Sequence, residues 1–498
     1  MKKTIVRIIA LGLSVSMLIG ATAGCKKKPS DDTSSVSSDF FSFEENTDNT
    51  ENETSNVSSE NKKSSKVSDK KTNQSSKKNN TSKKSYGNTE VSNGKFVWPK
   101  LKFKNKELTW LYWGDPYEKG GYPKMVELLK KQYGLSIKTV ASTYFDMNTK
   151  FASLVMSGQS PDMVRIVDGS AGSFPGYVYK KLLQPVNDYV DFGNPIYKDM
   201  SYYYSKSKIN GKNYMLFNSA SGGGLIVYNK KMFRDAGVSD PWKLYKQGKW
   251  DWNAFAKVSS QLVADTDGDG TIDRKAYSLG SADTFVYTTG QTFGAVDYAN
   301  KKFKSNLKNA SISRAVDFIN NLGFTKKLGD HNFESAKDLF KNELVAMCIV
   351  TDNNGATYGG WNLDVAKRGD LGLVPMPRDP KAKKLYYYVW TDATAIPVGA
   401  KNPNAVVAFN ACRRYLATNP EEVKISDENY KKNCYFSDEN LQAFYATVND
   451  GQPVWDTVSW AGTTILWNAV LMGQSWPSRV AAESDTITDK VNEAFGLK

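Results

Sequence analysis

Between Leu108 and Val167 the chain alternates two kinds of segment, and that alternation restricts the fold more than anything else in it. Leu108 to Trp113 is apolar on both faces, as a strand covered on both sides must be. Pro123 then opens a helical segment with Met125, Val126, Leu129 and Tyr133 on one face, and Gly134 closes it. Leu135 to Val140 reads as a second strand. Asp146 is placed to cap a second helix carrying Met147, Phe151, Leu154 and Val155; Gly158 stops it, and Asp162 to Val167 reads as a third strand. The order strand-helix-strand-helix-strand predicts a parallel sheet with right-handed crossovers, an α/β fold. At 498 residues the chain exceeds what one core accommodates, so two or more domains are expected.

A second stretch, Gly222 to Leu279, repeats the theme. Three consecutive glycines enter an apolar run, Gly224 to Tyr228, followed by a short helical segment, Lys230 to Ala236, and Gly237. Asp251 is positioned to cap a helix in which Phe255, Val258 and Leu262 share a face. Ala276 to Leu279 resumes as a strand. Further on, Ser311 starts a helix through Ala315, Phe318, Ile319 and Leu322, and Asp338 to Val350 reads as helix, turn and strand. Leu371 to Pro375 and Tyr386 to Pro397 read as strands. Asn402-Pro403 opens an apolar helix to Leu416, Ser459 to Met472 forms another, and Asp485 is expected to cap the last, with Ile487, Val491, Ala494 and Phe495 inward.

Residues 1–24 read as a targeting segment: Lys2, Lys3 and Arg7 precede an apolar run, Ile8 to Ile19, too short to span a bilayer comfortably. Thr22-Ala23-Gly24-Cys25 resembles the bacterial lipobox, which implies diacylation of the Cys25 thiol and a lipid anchor there. A plain secretory signal followed by a chance cysteine is the alternative. Residues 25–95 are Ser, Asn, Thr, Lys, Asp and Glu with almost no apolar content, so burial cannot offset chain entropy and a disordered tether is expected. A coil of roughly 70 residues has an r.m.s. span of about 45 Å. No transmembrane span is expected after residue 25.

The balance of 66 basic and 52 acidic residues, a net +14, is partly carried by Lys2, Lys3, Arg7 and Lys26-Lys27-Lys28. The remainder forms no dense basic patch, which argues against nucleic acid. His331 is the only histidine and is expected on the surface; hydrolytic triads and zinc sites would have to rest on that one residue. No phosphate-binding glycine-rich loop with its lysine is present. A glycosidase needs only two carboxylates, so that enzyme class stays open. Cys348 sits in an apolar run and reads as a core thiol, while a Cys412–Cys434 bridge is compatible with an exported protein.

Asp265, Asp267, Asp269, Thr271 and Asp273 follow the spacing of the first part of a calcium loop, with Gly270 at its tight turn. Position twelve is Ala276, where a bidentate Glu is usual. A structural Ca2+ is one reading; a polar turn in which Asp side chains cap amides is the other.

Aromatic residues make up 12% of the chain, with 12 Trp. Aromatic rings match the C–H face of a pyranose, and acids and amides match its hydroxyl rim. Ligands of open α/β sheets bind beyond the carboxyl ends of strands. Trp113 and Asp115 follow the first strand, and Asp168 the third. Tyr228 ends the glycine-led strand. Trp361 follows a glycine-rich turn, Trp390 lies beside Asp392, and Trp455 and Trp460 flank the start of a late helix. For each, ordinary packing is the alternative.

In combination, SGQSPDMV, LIVYNKKMFRDAGV, PWKLYKQGKWDW, FKNELVAM, LGLVPMP and IPVGAKNPNAVVAF closely resemble the extracellular solute-binding proteins of ABC sugar importers, the maltose-binding-protein-like family. The resemblance covers about 400 residues and implies a two-lobed periplasmic-binding-protein-like (type II) fold with hinge crossings. Residues 96–218 and 395–440 would form lobe one, and 222–390 and 441–498 lobe two. Gly222-Gly223-Gly224 and Tyr388 to Thr394 would be the crossings. It further implies a monomeric, non-enzymatic receptor that closes on a sugar or oligosaccharide and docks on a membrane permease. Trp113, Asp115, Trp361, Trp455 and Trp460 are the positions it marks for ligand. Cys25 and the tether would hold such a receptor at the outer face of a Gram-positive-type cell membrane; a surface-anchored glycosidase is the alternative function.

Overall fold

The computed structural model describes residues 96–118, 122–143, 146–167, 174–332, 336–352 and 363–497. The targeting segment, Cys25, the tether, Asp168 and Trp361 lie outside the described residues. Among the described residues twelve strands follow in chain order: β1 Glu107–Tyr112, β2 Ser136–Ala141, β3 Met163–Val167, β4 Met215–Asn229, β5 Lys275–Leu279, β6 Gly294–Asp297, β7 Lys302–Ser305, β8 Gly329–Asp330, β9 Val345–Asp352, β10 Leu371–Pro375, β11 Tyr386–Ala395 and β12 Gln452–Val454.

β1 is buried on both faces, as its apolarity requires, while β2, with only Ile137 buried, forms the edge of the sheet. β1 pairs in parallel with β2, from Glu107 against Ser136 to Tyr112 against Ala141, and with β3 on its other edge. The helix Pro123–Tyr133 begins with proline in its first turn and ends at Gly134, whose φ of 65° lets its N–H reach the Lys130 carbonyl. Met125, Val126 and Leu129 are its buried face.

The full sheet order is β2-β1-β3-β11-β4-β9-β5-β8, with β10 added to β4 and β12 to β11. Two apolar cores flank it. One gathers residues of 108–217 with Val389 and residues of 393–416; the other gathers residues of 225–376 with Tyr388 and residues of 430–497. The second core includes Tyr430, Cys434 and Phe436, which a lobe boundary at 440 assigns to the first. Tyr430 and Cys434 ride on the Pro420–Cys434 helix, Phe436 follows it, and the next helix, Asp438–Asn449, packs its Leu441, Ala443 and Phe444 with them.

β4 and β11 carry the chain between the cores. From Met215 to Gly222, β4 pairs antiparallel with β11; from Gly223 to Tyr228 it pairs with β9, and Leu225 to Asn229 face β10. The exchange of partners falls on the three glycines. A Cβ on Gly222 would sit 1.8 Å from Thr447 Oγ1, and Gly224 has a φ of 81°. The strand therefore slides under the Asp438–Asn449 helix and turns at a residue that tolerates the left-handed region.

Several local expectations differ. The last helix runs Trp476–Phe495, so Asp485 lies inside it and the start falls at Ser475, with Pro477 in the first turn. Asp146 accepts from the Thr143 hydroxyl and makes no cap bond, whereas Asp251 accepts from Ala254 N at 3.0 Å. Cys348, Cys412 and Cys434 are all free and buried; Cys412 belongs to one core and Cys434 to the other, so the bridge that the sequence left open does not form. His331 is buried, contrary to the surface position expected. Its Nδ1 donates to the Val470 carbonyl at 3.1 Å, leaving Nε2 to accept from the Tyr277 hydroxyl at 3.2 Å. Gly323 lies flat against the imidazole, which is why that position has no side chain.

Two outcomes are expected. Gly222→Val forces Thr447 and the crossing apart and costs about 1–3 kcal/mol or more in denaturant unfolding. Burial lowers the His331 pKa, against smaller opposing effects of the Val470 hydrogen bond and Asp330. Because the folded imidazole stays neutral, stability is complete above about pH 6.5 and falls as pH drops below it. The single imidazole resonance in the NMR spectrum is expected to titrate below that value.

Candidate functional site

The seam between the cores, along β11 and its neighbours, gathers most of the sequence candidates that the structure describes. Trp390 and Asp392 lie two residues apart on β11 and so share a face. Trp390 is half-buried and packs against the second core. β12 pairs Val454 with Tyr388, so Trp455 emerges beside the part of β11 that bears Trp390. Although Trp455 comes from the late segment of the chain, its ring packs on the first core, 5.7 Å edge-on from both Tyr203 and Phe217. Trp460, in the first turn of the helix Ser459–Leu471, packs half-buried against the second core. Its indole nitrogen is buried and makes no hydrogen bond among the described residues.

Trp113 follows β1 at the carboxyl end of the sheet and is half-buried. The Arg165 guanidinium lies 5.1 Å from its ring centroid. Asp115, exposed in the following turn, accepts from Tyr117 N at 2.8 Å. Trp113 and Trp455 thus pack against the first core and Trp390 and Trp460 against the second; Trp98 and Trp467 are half-buried as well, and Trp110, Trp242, Trp250, Trp252 and Trp476 are buried packing residues.

Two candidates take other roles. Tyr228 is fully buried in the second core and its hydroxyl donates to Asp240 Oδ2 at 3.1 Å, so no part of it is open to a ligand. Burial, reinforced by Asp240, raises its pKa far above the usual tyrosine range. Asp392 is equally enclosed. Its carboxylate accepts from Arg165 Nε and Arg413 Nη2, each at 2.8 Å, and from Asn218 Nδ2 at 3.2 Å. Burial alone would raise its pKa, but the two guanidinium groups outweigh that and hold it at about 2. Asp392 is therefore the counter-ion of two buried arginines, not a ligand group.

Arg165 and Asp283 carry weight that the sequence reading overlooked. A lone arginine inside an apolar strand, Met163-Val164-Arg165-Ile166-Val167, was the available signal. Asp283 stands just past the carboxyl end of β5, nine-tenths buried, accepting from the Ser281 hydroxyl; burial raises its pKa. Tyr179 and Tyr298 also bridge the seam: the Tyr179 hydroxyl donates to the Tyr298 carbonyl at 3.0 Å.

In the acidic loop the Asp265, Asp267 and Asp269 carboxylates converge within 4.8 Å and are exposed. Each also caps an amide: Asp265 takes Gly268 and Gly270, Asp267 takes Asp269, and Asp269 takes Thr271. Asp273 turns instead to the Thr266 hydroxyl and amide, and these hydrogen bonds lower its pKa. Ala276 at position twelve is buried in β5, so no twelfth-position carboxylate joins them.

Residues 115–411, more than half of the chain, match the family described as bacterial extracellular solute-binding protein, and the chain belongs to that family. No curated protein matches it at the sequence level. Solved structures share its two-lobed fold. The sugar-binding protein MalE of Xanthomonas citri is 14% identical with a TM-score of 0.57, over 78% of this chain and 97% of that one. The GacH receptor of Streptomyces glaucescens, solved unliganded and with acarbose, is 18% identical with a TM-score of 0.54, over 78% and 98%. The Listeria monocytogenes ABC substrate-binding protein Lmo0181, in complex with cycloalternan, is 16% identical with a TM-score of 0.53, over 79% and 99%. Among the described residues no helix is long and apolar enough to cross a membrane.

Replacing Asp392 by Asn leaves Arg165 and Arg413 buried without their anion. The expected loss is about 3–5 kcal/mol in denaturant unfolding. Because the folded pKa is depressed, the carboxylate's contribution is complete above about pH 4 and is lost as pH falls toward 2. Acid unfolding curves of Asp392→Asn are expected to flatten in that window.

Proposed function

We propose that this protein is the receptor of an ABC importer and captures a sugar or oligosaccharide at the seam between its two cores, without breaking a bond. The observation that supports the reading is a set of half-buried tryptophans from three stretches of chain, Trp113 and Trp455 packed against the first core and Trp390 and Trp460 against the second. Family membership and fold neighbours crystallised with oligosaccharides support it. Flat rings offer the apolar face of a pyranose a surface without loss of hydrogen bonds. Asp115, with Asp168 and Trp361 outside the described residues, completes the candidate set.

In this reading the two cores are rigid bodies and the β4–β11 crossing flexes. Only the closed form offers both walls to the sugar, so the sugar's binding energy favours closure. The closed, monomeric receptor then docks on membrane permease subunits. A lipid on Cys25 and the polar tether would keep it at the outer face of the membrane. Asp265, Asp267 and Asp269, with Thr271 and Asp273 in the same loop, would hold a structural Ca2+ whose remaining ligands are waters.

Mannotriose, acarbose and cycloalternan added to the purified protein are expected to raise its melting temperature, because a ligand that binds only the folded form stabilises it. Trp460→Ala should weaken that shift about tenfold in sugar concentration, in line with the loss of about 1.4 kcal/mol. If no sugar shifts the transition, or if chromatography finds the sugar cleaved, the reading fails. For the acidic loop, calorimetric titration with Ca2+ is expected to show one site that Asp267→Asn removes.

A further inference from the structure

Trp113 does not hold its pose alone. Its ring faces the Arg165 guanidinium at 5.1 Å. Arg165 binds Asp392 on β11 at 2.8 Å, and Asp392 binds Arg413 at 2.8 Å. The Arg413 guanidinium in turn covers the Tyr122 ring at 4.6 Å. Tyr122 lies 5.9 Å from Tyr112, and Tyr112 lies 4.8 Å from Trp113, which closes the circuit. Tyr112, Tyr122, Arg165, Asp392 and Arg413 are 2–3% exposed; Trp113 alone reaches the surface. The circuit joins β1, the start of the Pro123–Tyr133 helix, β3, the crossing strand β11 and the helix Pro403–Thr418.

We propose that Arg165 is a positioning residue: it fixes the Trp113 indole as a preformed plate for the sugar and ties that plate, through Asp392, to the crossing strand between the two lobes. This rests on the sugar-binding reading of the seam. An arginine suits the task because its planar guanidinium can lie against a ring while its Nε binds a carboxylate at right angles to the rest of the chain. Two charges remain in a dry site only when paired, so the buried ion pair resists the rotation that would release the indole. A plate held in advance loses little freedom on binding, and preorganisation of this kind raises affinity without adding a contact.

The test compares Arg165→Lys with the parent protein. Lysine keeps the charge beside Asp392 but cannot at the same time cover the indole. The emission of Trp113 is isolated by subtracting the spectrum of Trp113→Phe. In Arg165→Lys this component is expected to shift to the red and to be quenched more readily by acrylamide. Affinity for whichever of mannotriose, acarbose and cycloalternan raises the melting temperature most is expected to fall roughly three- to thirtyfold, the range of a cation–π contact. In a Trp113→Ala background the same change should cost nothing further, which a general loosening of the fold would not reproduce. Should Arg165→Lys not fold, Tyr122→Leu interrupts the circuit beneath Arg413 without stranding a charge, and the same red shift is expected. Unchanged Trp113 emission, or an equal affinity loss in the Trp113→Ala background, overturns the proposal. If none of the sugars binds, the sugar reading fails on its own, and the emission of Trp113 still decides whether Arg165 positions it.

Discussion

The pairing of β4 with β11 depends on a carboxylate that has no access to water. At Asp392 the register slips by one residue: Asp392 faces Ser219 while Ala393 faces Phe217, and Asn218 is the extra residue. A slip of this kind leaves backbone groups without ladder partners. Here they are taken up by side chains. Arg414 donates to the Asn218 carbonyl at 2.9 Å and to the Ile196 carbonyl at 3.0 Å, and Asn410 donates to the Phe217 carbonyl at 3.0 Å and to the Asn218 side chain at 2.9 Å. Asp392 neutralises the two arginines on either side. A buried group of this sort adds little net stability compared with a well-packed apolar substitute, but the arrangement is costly to break. That arrangement fixes β3, β11 and the helix Pro403–Thr418 relative to the crossing.

From this point the molecule divides. On one side β1 to β3 and their helices enclose a core; on the other, β5, β8, β9 and β10 enclose a second. The strand between them has no side chains for three residues, because the helix Asp438–Asn449 lies directly over Gly222. Large rings gather where the shared backbone runs, half-buried, from both sides. Such an arrangement is suited to enclosing a molecule that is flat, apolar on its faces and polar at its edges.

Much of the architecture was legible from residue order. Strands apolar on both faces between amphipathic helices led to the parallel sheet, and the glycines ahead of Leu225 marked the crossing. The helices Pro420–Cys434 and Asp438–Asn449 were not seen. The first of them is rich in charge, burying only Tyr430 and Cys434, so its apolar stripe is too sparse to announce a helix. At the site, residue type was informative and environment was not. Trp113, Trp390, Trp455 and Trp460 are half-buried beside the crossing or at the end of β1, but Tyr228 and Asp392 are closed off. Nothing local distinguishes a tyrosine that ends a strand in the core from one that lines a groove. Asp392 is a counter-ion only because Arg165 and Arg413 arrive from 227 residues before it and 21 after it.

What the sequence determined by itself is therefore what nearest neighbours control: where strands and helices begin, which faces are apolar, and where glycine permits a turn. Those depend on local sterics and on periodicity, which a linear text contains. What only the tertiary structure decided is which charges meet, which thiols and which imidazole are sealed, and which aromatic rings stay within reach of solvent. His331 illustrates the difference, lying in a polar stretch of chain yet buried between Tyr277 and the Val470 carbonyl. Burial is set by what packs from elsewhere, and those partners are distant in the chain.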